Sequence, residues 1–250
     1  AVMSDAEWEQ EAPRRRPIID TALDVTADRG VDRTTHRAVA EAAHAEGGHL
    51  FLQLMHSGRF AHPDNTPHHR QPVAPSALSA EVQIPTPSGM QTTPVPRALR
   101  TEEIPGIVEE FRTAAAAAIE AGADGVEVHA ANGYLLHQFL SPNANHRTDD
   151  YGGSVENRAR LSLDVAAAVA QEIGADRTGI RISPAFPLGG LDEGDLDAVL
   201  AQYRHLVREL VPLGLAYLHV HHRADDAVLR MIREEWPSTL LVARYGRTRE

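Results

Sequence analysis

An α/β fold around a parallel sheet is what this 250-residue sequence predicts. Two observations lead there. Short stretches rich in Val, Ile and Leu alternate with longer stretches of helical period, from Pro17 to the end of the sequence. The chain is also long enough for a full core, and at 42% hydrophobic and 24% charged residues its composition is that of an ordinary globular domain. Strands that alternate with helices are joined by right-handed crossovers and run parallel. Roughly six strands are countable where a closed (β/α) barrel needs about eight, so a barrel and a doubly wound open sheet both stand at this point.

The elements follow in order. "PIIDTALDV" from Pro17 reads as a strand interrupted by Asp20 and Asp24. "RTTHRAVAEAAHAEGG" reads as a helix closed by Gly47 and Gly48. "HLFLQLMH" from His49 is a short apolar strand. Residues 57–100, rich in Pro, His and Ser, have no helical period and are too long for an ordinary connection; they read as a loop excursion over one end of a single domain spanning 1–250. "EEIPGIVEEFRTAAAAAIEAGA" is a helix with Thr101 as its expected N-cap and Gly122 near its end. "GVEVHAA" is a strand, a polar loop follows, and "SVENRARLSLDVAAAVAQEIGA" is a helix opening at Ser154. "TGIRISP", "LAYLHVHH" and "STLLVARYG" complete the strands, with "DLDAVLAQYRHLVREL" and "DDAVLRMIREEW" as the helices between them. "AEWEQEA", before Pro13, reads as a charged surface helix.

Charge and composition exclude several classes. A net charge of −11 argues against a nucleic-acid or anionic-membrane surface. With no cysteine there is no disulfide, thiolate metal site or Cys nucleophile, which fits a cytoplasmic enzyme. No apolar run is long enough to span a bilayer, and the first residues have no apolar segment of the signal-peptide kind.

Barrels and doubly wound sheets both place their sites at the C-terminal ends of parallel strands. His129, Asn132 and Tyr134 fall there, at the end of "GVEVHAANGY". His129 and Asn132 could offer two hydrogen-bond donors to one oxygen, an arrangement suited to a carbonyl or phenolate whose negative charge grows during reaction. Tyr134 could supply a proton nearby. The spacing also admits a plainer reading, in which His129 bonds a backbone carbonyl, Asn132 makes a turn and Tyr134 packs. "LHVHH" puts His219 and His221 on one strand face and His222 on the other. No suitably spaced carboxylate completes a metal site, so a polar strand end facing a pocket is expected there. The "HPDNTPHH" cluster is expected to be solvated.

The segment "HAANGYLLHQFLSPNANHRTDDYGGSVENRAR" resembles the old yellow enzyme family of flavin-dependent ene-reductases, through H-x-x-N-G-Y-L, Q-F-L-S and N-x-R-T-D-x-Y-G-G-S-x-E-N-R. The resemblance extends to "FLQLMHSGRFAHPD", "PVAPSAL", "PRALRTEEIPGIVEEFRTAA" and "GIRISP", roughly residues 36–222. It implies a (β/α)8 TIM-type barrel and reduction of the C=C bond of an α,β-unsaturated carbonyl compound, with FMN as cofactor and NAD(P)H as hydride donor. It implies that His129 and Asn132 bind the carbonyl oxygen of an enone or a phenolic ligand, that Tyr134 protonates the substrate α-carbon, and that Gln53 and Arg181 contact the flavin ring. Arg147, Asp149, Tyr151, Glu156 and Arg158 read as residues that tie down the long loop.

Two parts of the family pattern have no counterpart: the first barrel strand, and the eighth with its phosphate contacts. Arg244 and Tyr245 stand where the seventh strand normally runs into small residues, and their side chains would obstruct backbone approach to a phosphate. For the chain as given, weak or absent FMN binding is therefore expected. Two alternatives to the flavin enzyme are a flavin-independent isomerase, cyclase or lyase using His129, Asn132 and Tyr134, and a non-catalytic subunit. A sheet open at both edges also leads to the expectation of a homo-oligomer that covers them.

Overall fold

The computed structural model of the protein describes residues 35–223 and 225–244. The expected strand from Pro17, the charged segment before Pro13 and Tyr245 lie outside these residues. Among the described residues five strands form one parallel sheet: β1 (Phe51–Leu54), β2 (Gly125–Ala130), β3 (Thr178–Ile182), β4 (Tyr217–His222) and β5 (Leu240–Arg244). They neighbour one another in chain order, with every pairing parallel. Sequential order without a reversal is the order of a barrel; a doubly wound sheet has a switch point where the order turns back.

The helices between strands are α1 (His36–Ala45), α2 (Ile104–Glu120), α3 (Leu135–Leu140), α4 (Val155–Ile173), α5 (Leu196–Leu210) and α6 (Asp226–Glu235), with α1 preceding β1. Strand alternation divides the sheet into two faces. Val126, Val128 and Ala130, Ile180 and Ile182, and Leu218 and Val220 are completely buried against the helices. They meet Phe111, Val165, Val169, Leu206, Leu210 and Ile232 in one continuous core. The opposite face carries Gln53, Glu127, His129, Arg181, His219 and His221. That division puts apolar side chains under helices and polar ones in the interior of the arc, which is why the strands read as partly polar in the sequence.

Capping explains where several helices begin. Ser154 accepts from the Asn157 N–H at the start of α4, and Asp195 from the Ala198 N–H at the start of α5. Each such cap is worth roughly 1 kcal/mol. Thr101 is not the cap of α2. It opens a 3-10 turn, Thr101–Glu103, and the helix proper starts at Ile104. The Glu103 carboxylate takes the Arg100 N–H at 2.7 Å, while the Thr101 hydroxyl bonds Asp149.

The segment read as one polar loop after β2 contains α3. All six of its residues are buried, so it has no polar face from which a helical period could be seen. Residues 57–100 contain three 3-10 turns and a hairpin, Gln83–Thr86 with Gly89–Thr92. Val73–Ala74 also pairs in parallel with Arg97–Ala98. Arg147 anchors this segment: it bonds the carbonyls of Pro75 and Leu99 and pairs with Asp149. The Arg147 bond, aided by Thr101, outweighs burial and holds the Asp149 carboxyl down to about 2. Arg158 binds the Leu140 carbonyl at 3.0 Å, tying α4 to the end of α3. In the histidine cluster, His68 and His69 are exposed and His62 is half-buried.

Candidate active site

The inner face is built in layers. At its floor the rings of Phe51 on β1 and Tyr217 on β4 pack at 5.6 Å between centroids. The strands between them present Gly125 and Gly179. A Cβ on Gly125 would lie 2.4 Å from the Phe51 ring, and one on Gly179 would lie 2.3 Å from the Tyr217 ring. Two glycines therefore make room for two aromatic side chains.

Above the floor sits Glu127, 8% exposed. Its carboxylate accepts from Gln53 Nε2 at 2.6 Å and pairs with His219 Nδ1 at 2.8 Å. Burial raises its pKa, but the bonds from His219, Gln53 and Tyr217 outweigh burial and hold it below the usual range. The same contact raises the Tyr217 phenol, after burial itself. Gln53 thus spends its amide N–H on Glu127, which leaves its carbonyl oxygen as an acceptor.

The next layer holds His129 and Arg181, register partners on β2 and β3. Burial first, and then the Arg181 guanidinium, pushes the His129 imidazole down to about 4. The ring is therefore neutral near pH 7. His129 Nδ1 and Arg181 Nε are both buried without a hydrogen-bond partner.

The loop after β2 carries Asn132, Gly133 and Tyr134. Asn132 takes the left-handed conformation, φ 55°. Its N–H donates to Ser183 Oγ at 2.7 Å, and its side-chain oxygen lies 2.9 Å from His221 Nδ1. The Gly133 N–H donates to His137 Nδ1 at 2.9 Å. His137 is fully buried and lies 3.4 Å from Glu193, which accepts from the Tyr203 hydroxyl at 2.7 Å and the Ala185 N–H at 2.5 Å. The Tyr134 ring lies 5.2 Å from His129 and 5.9 Å from Phe60. One more buried amide, Gln138, bonds the Gly133 carbonyl at 2.7 Å and takes the Arg59 N–H at 3.1 Å. Arg59 reaches the Gly189 carbonyl at 2.8 Å.

His129, Asn132, Tyr134 and Arg181 are thus brought to one rim, with Gln53 one layer below and one strand aside. His219 and His221 point to the same face, while His222 turns outward to Asp226 at 3.0 Å. Among the described residues no group of three His, Cys, Asp or Glu side chains could hold a metal. Arg244, expected to stand in the way at the end of β5, turns outward with His222 and lies 3.5 Å from Asp226. Sequence reasoning missed Glu127, Ser183, His137, Glu193 and Tyr203 as parts of the site. For Glu127 a signal existed, since it shares strand parity with His129.

Sequentially ordered parallel strands, covered by helices on one face and polar at their carboxyl ends on the other, define a (β/α)-barrel type of fold, five strands of which lie among the described residues. The chain belongs to the NADH:flavin oxidoreductase / NADH oxidase family, whose model matches residues 22–243, and it is an old yellow enzyme homologue. It is 50% identical over 186 residues to 12-oxophytodienoate reductase 1 of Oryza sativa subsp. japonica, covering 74% of this chain and 47% of that protein. Among solved structures, morphinone reductase in complex with tetrahydroNAD superposes with a TM-score of 0.78 at 44% identity, over 84% of this chain and 60% of that one. The old yellow enzyme homologue from Zymomonas mobilis gives a TM-score of 0.78 at 34% identity, over 85% and 61%. The chain spans about half the length of the curated relatives it matches.

Proposed function

We propose that this chain carries the substrate side of an FMN-dependent ene-reductase, which reduces the C=C bond of an α,β-unsaturated carbonyl compound with NAD(P)H. The observation that carries the reading is the convergence of His129, Arg181, Asn132 and Tyr134 at one rim of the inner face: His129 and Arg181 in register on adjacent strands, the Tyr134 ring 5.2 Å from His129, and Asn132 against His221 on the next strand. Side chains able to donate, converging at the carboxyl ends of parallel strands, suit a ligand oxygen that gains negative charge.

The same residues fit FMN. Arg181 and the Gln53 carbonyl oxygen would hold its ring, and Arg181 would favour negative charge there. A bound FMN would supply the hydride chemistry between NAD(P)H and the substrate. The protein's own groups do the rest. His129, held neutral by its surroundings, and the Asn132 amide donate to the enone oxygen and draw charge from the double bond. Tyr134 delivers the proton to the α-carbon. The dry walls around His129 strengthen both hydrogen bonds.

The test is FMN-loaded protein mixed anaerobically with NADPH or NADH and a cyclic enone. Oxidation of the nucleotide beyond one equivalent per flavin is expected only with enone present. Flavin binding without enone-dependent turnover would reject the reading.

Assembly and location are part of the same proposal. Among the described residues β1 and β5 each leave one edge unpaired, and a second copy of the chain is the proposed cover. A well-folded monomer by light scattering at micromolar concentration would reject it. No helix among the described residues is long and apolar enough to cross a membrane, and the proposed compartment is the cytoplasm.

A further inference from the structure

We propose that His221 is a positioning residue that sets the Asn132 side chain so that its NH2 group faces the substrate oxygen. The inference rests on the enone-binding role given above to Asn132.

A carboxamide has a distinct acceptor and donor end, and the neighbour that binds one end decides where the other points. His221 Nδ1 lies 2.9 Å from Asn132 Oδ1. A nitrogen that meets a carbonyl oxygen at that distance is the donor, so the Asn132 oxygen is engaged and its NH2 is directed away from His221. The backbone of Asn132 is fixed independently by Ser183 and by its left-handed φ. Main chain and side chain thus have separate anchors, one just beyond the end of β3 and one on β4.

His221 is itself held in place. It is 4% exposed. Its ring packs on Phe186 at 4.8 Å, and the Arg223 guanidinium lies over the other ring of that pair, 5.5 Å from the Phe186 centroid. Burial first, then Arg181, Arg223 and His219, lowers its pKa, so the neutral ring with its single N–H is the form present. Since that N–H lies on Nδ1, the tautomer is fixed by the Asn132 contact. His221 touches no reacting atom in this scheme; it acts through Asn132.

The experiment uses two variants that separate the ring from its N–H. His221→Phe keeps an aromatic ring against Phe186 and removes the donor. His221→Gln keeps a donor and loses the ring. A para-substituted phenol is titrated into the FMN-loaded protein and followed by calorimetry. The Asn132 side-chain amide resonances, assigned through Asn132→Asp, are followed in parallel on the protein without flavin. His221→Phe is expected to weaken the phenol about tenfold, the scale of one hydrogen bond to a charged group. It should also shift the Asn132 amide resonances and leave FMN affinity unchanged. His221→Gln should recover most of the loss, and His221→Phe should add nothing in an Asn132→Ala background. If wild type binds phenol and His221→Phe binds it equally well with unmoved amide resonances, the positioning role is overturned alone. If wild type binds no phenol at all, the ene-reductase reading fails and this inference with it.

Discussion

His129 and Arg181 stand opposite each other in register on adjacent strands, and each keeps a buried nitrogen without a partner. The guanidinium helps keep the imidazole neutral. The pair therefore carries its one positive charge on the guanidinium, at the polar inner face of the sheet. In the proposed function the two serve different groups, His129 the enone oxygen and Arg181 the flavin ring.

The double variant His129→Ala, Asn132→Ala is expected to weaken a phenolic ligand by roughly 2–4 kcal/mol, two hydrogen bonds to a charged group. Calorimetric titration measures it. Equal affinity in wild type and double variant would remove the oxygen-binding role.

The low pKa of His129 predicts a pH-dependent stability. The folded imidazole titrates at about 4 and its ordinary value is 6.5. Between these the unfolded chain binds the extra proton, so stability is present above pH 6.5 and is lost as the pH falls toward 4. The His129 contribution to the loss between pH 7 and pH 5 is about 2 kcal/mol. Burial also lowers His56 and His221, so the informative quantity is the difference between wild type and His129→Gln in urea unfolding. The variant should lose less on acidification; parallel losses would contradict the assignment.

Tyr134→Phe is expected to slow enone reduction by about 10²–10⁴, the range of a lost general acid. The phenolic ligand should bind this variant within about threefold of wild type, because its oxygen is held by other groups. A large loss of affinity with normal turnover would assign Tyr134 to binding instead.

Gly179→Ala places a methyl group 2.3 Å from the Tyr217 ring. A loss of about 1–3 kcal/mol in unfolding free energy is expected. Removing the ring as well, in Gly179→Ala with Tyr217→Ala, should cost less than the two single changes added together. Strict additivity would mean that the contact is not what excludes the methyl.

The strands and long helices were legible because burial follows their period: Val126, Val128, Ile180 and Ile182 all face the helices. His129 was legible as a polar residue ending an apolar run, and Arg181 through the family resemblance. Helix α3 was not, since a fully buried helix has no amphipathic pattern. Nor were the anchors of the Asn132 loop. Ser183 is 51 residues from Asn132, and Glu193 meets His137 only because β3 lies beside β2. Such partners are set by topology, which local spacing does not encode. The Thr101 expectation failed because its hydroxyl is engaged elsewhere, donating to Asp149 and accepting from Arg147.

Gln138 and Arg59 give the rim a mechanical character. The Gln138 amide joins the exits of β1 and β2, and Arg59 joins that pair to the turn after β3 through Gly189. Three loops that would otherwise fluctuate separately are braced into one arch. A bulky substrate cannot displace one of them without straining the other two. Selection along this side of the mouth then works as a rigid template, and amide protons at Arg59 and Gly133 should exchange with solvent at similar, slow rates.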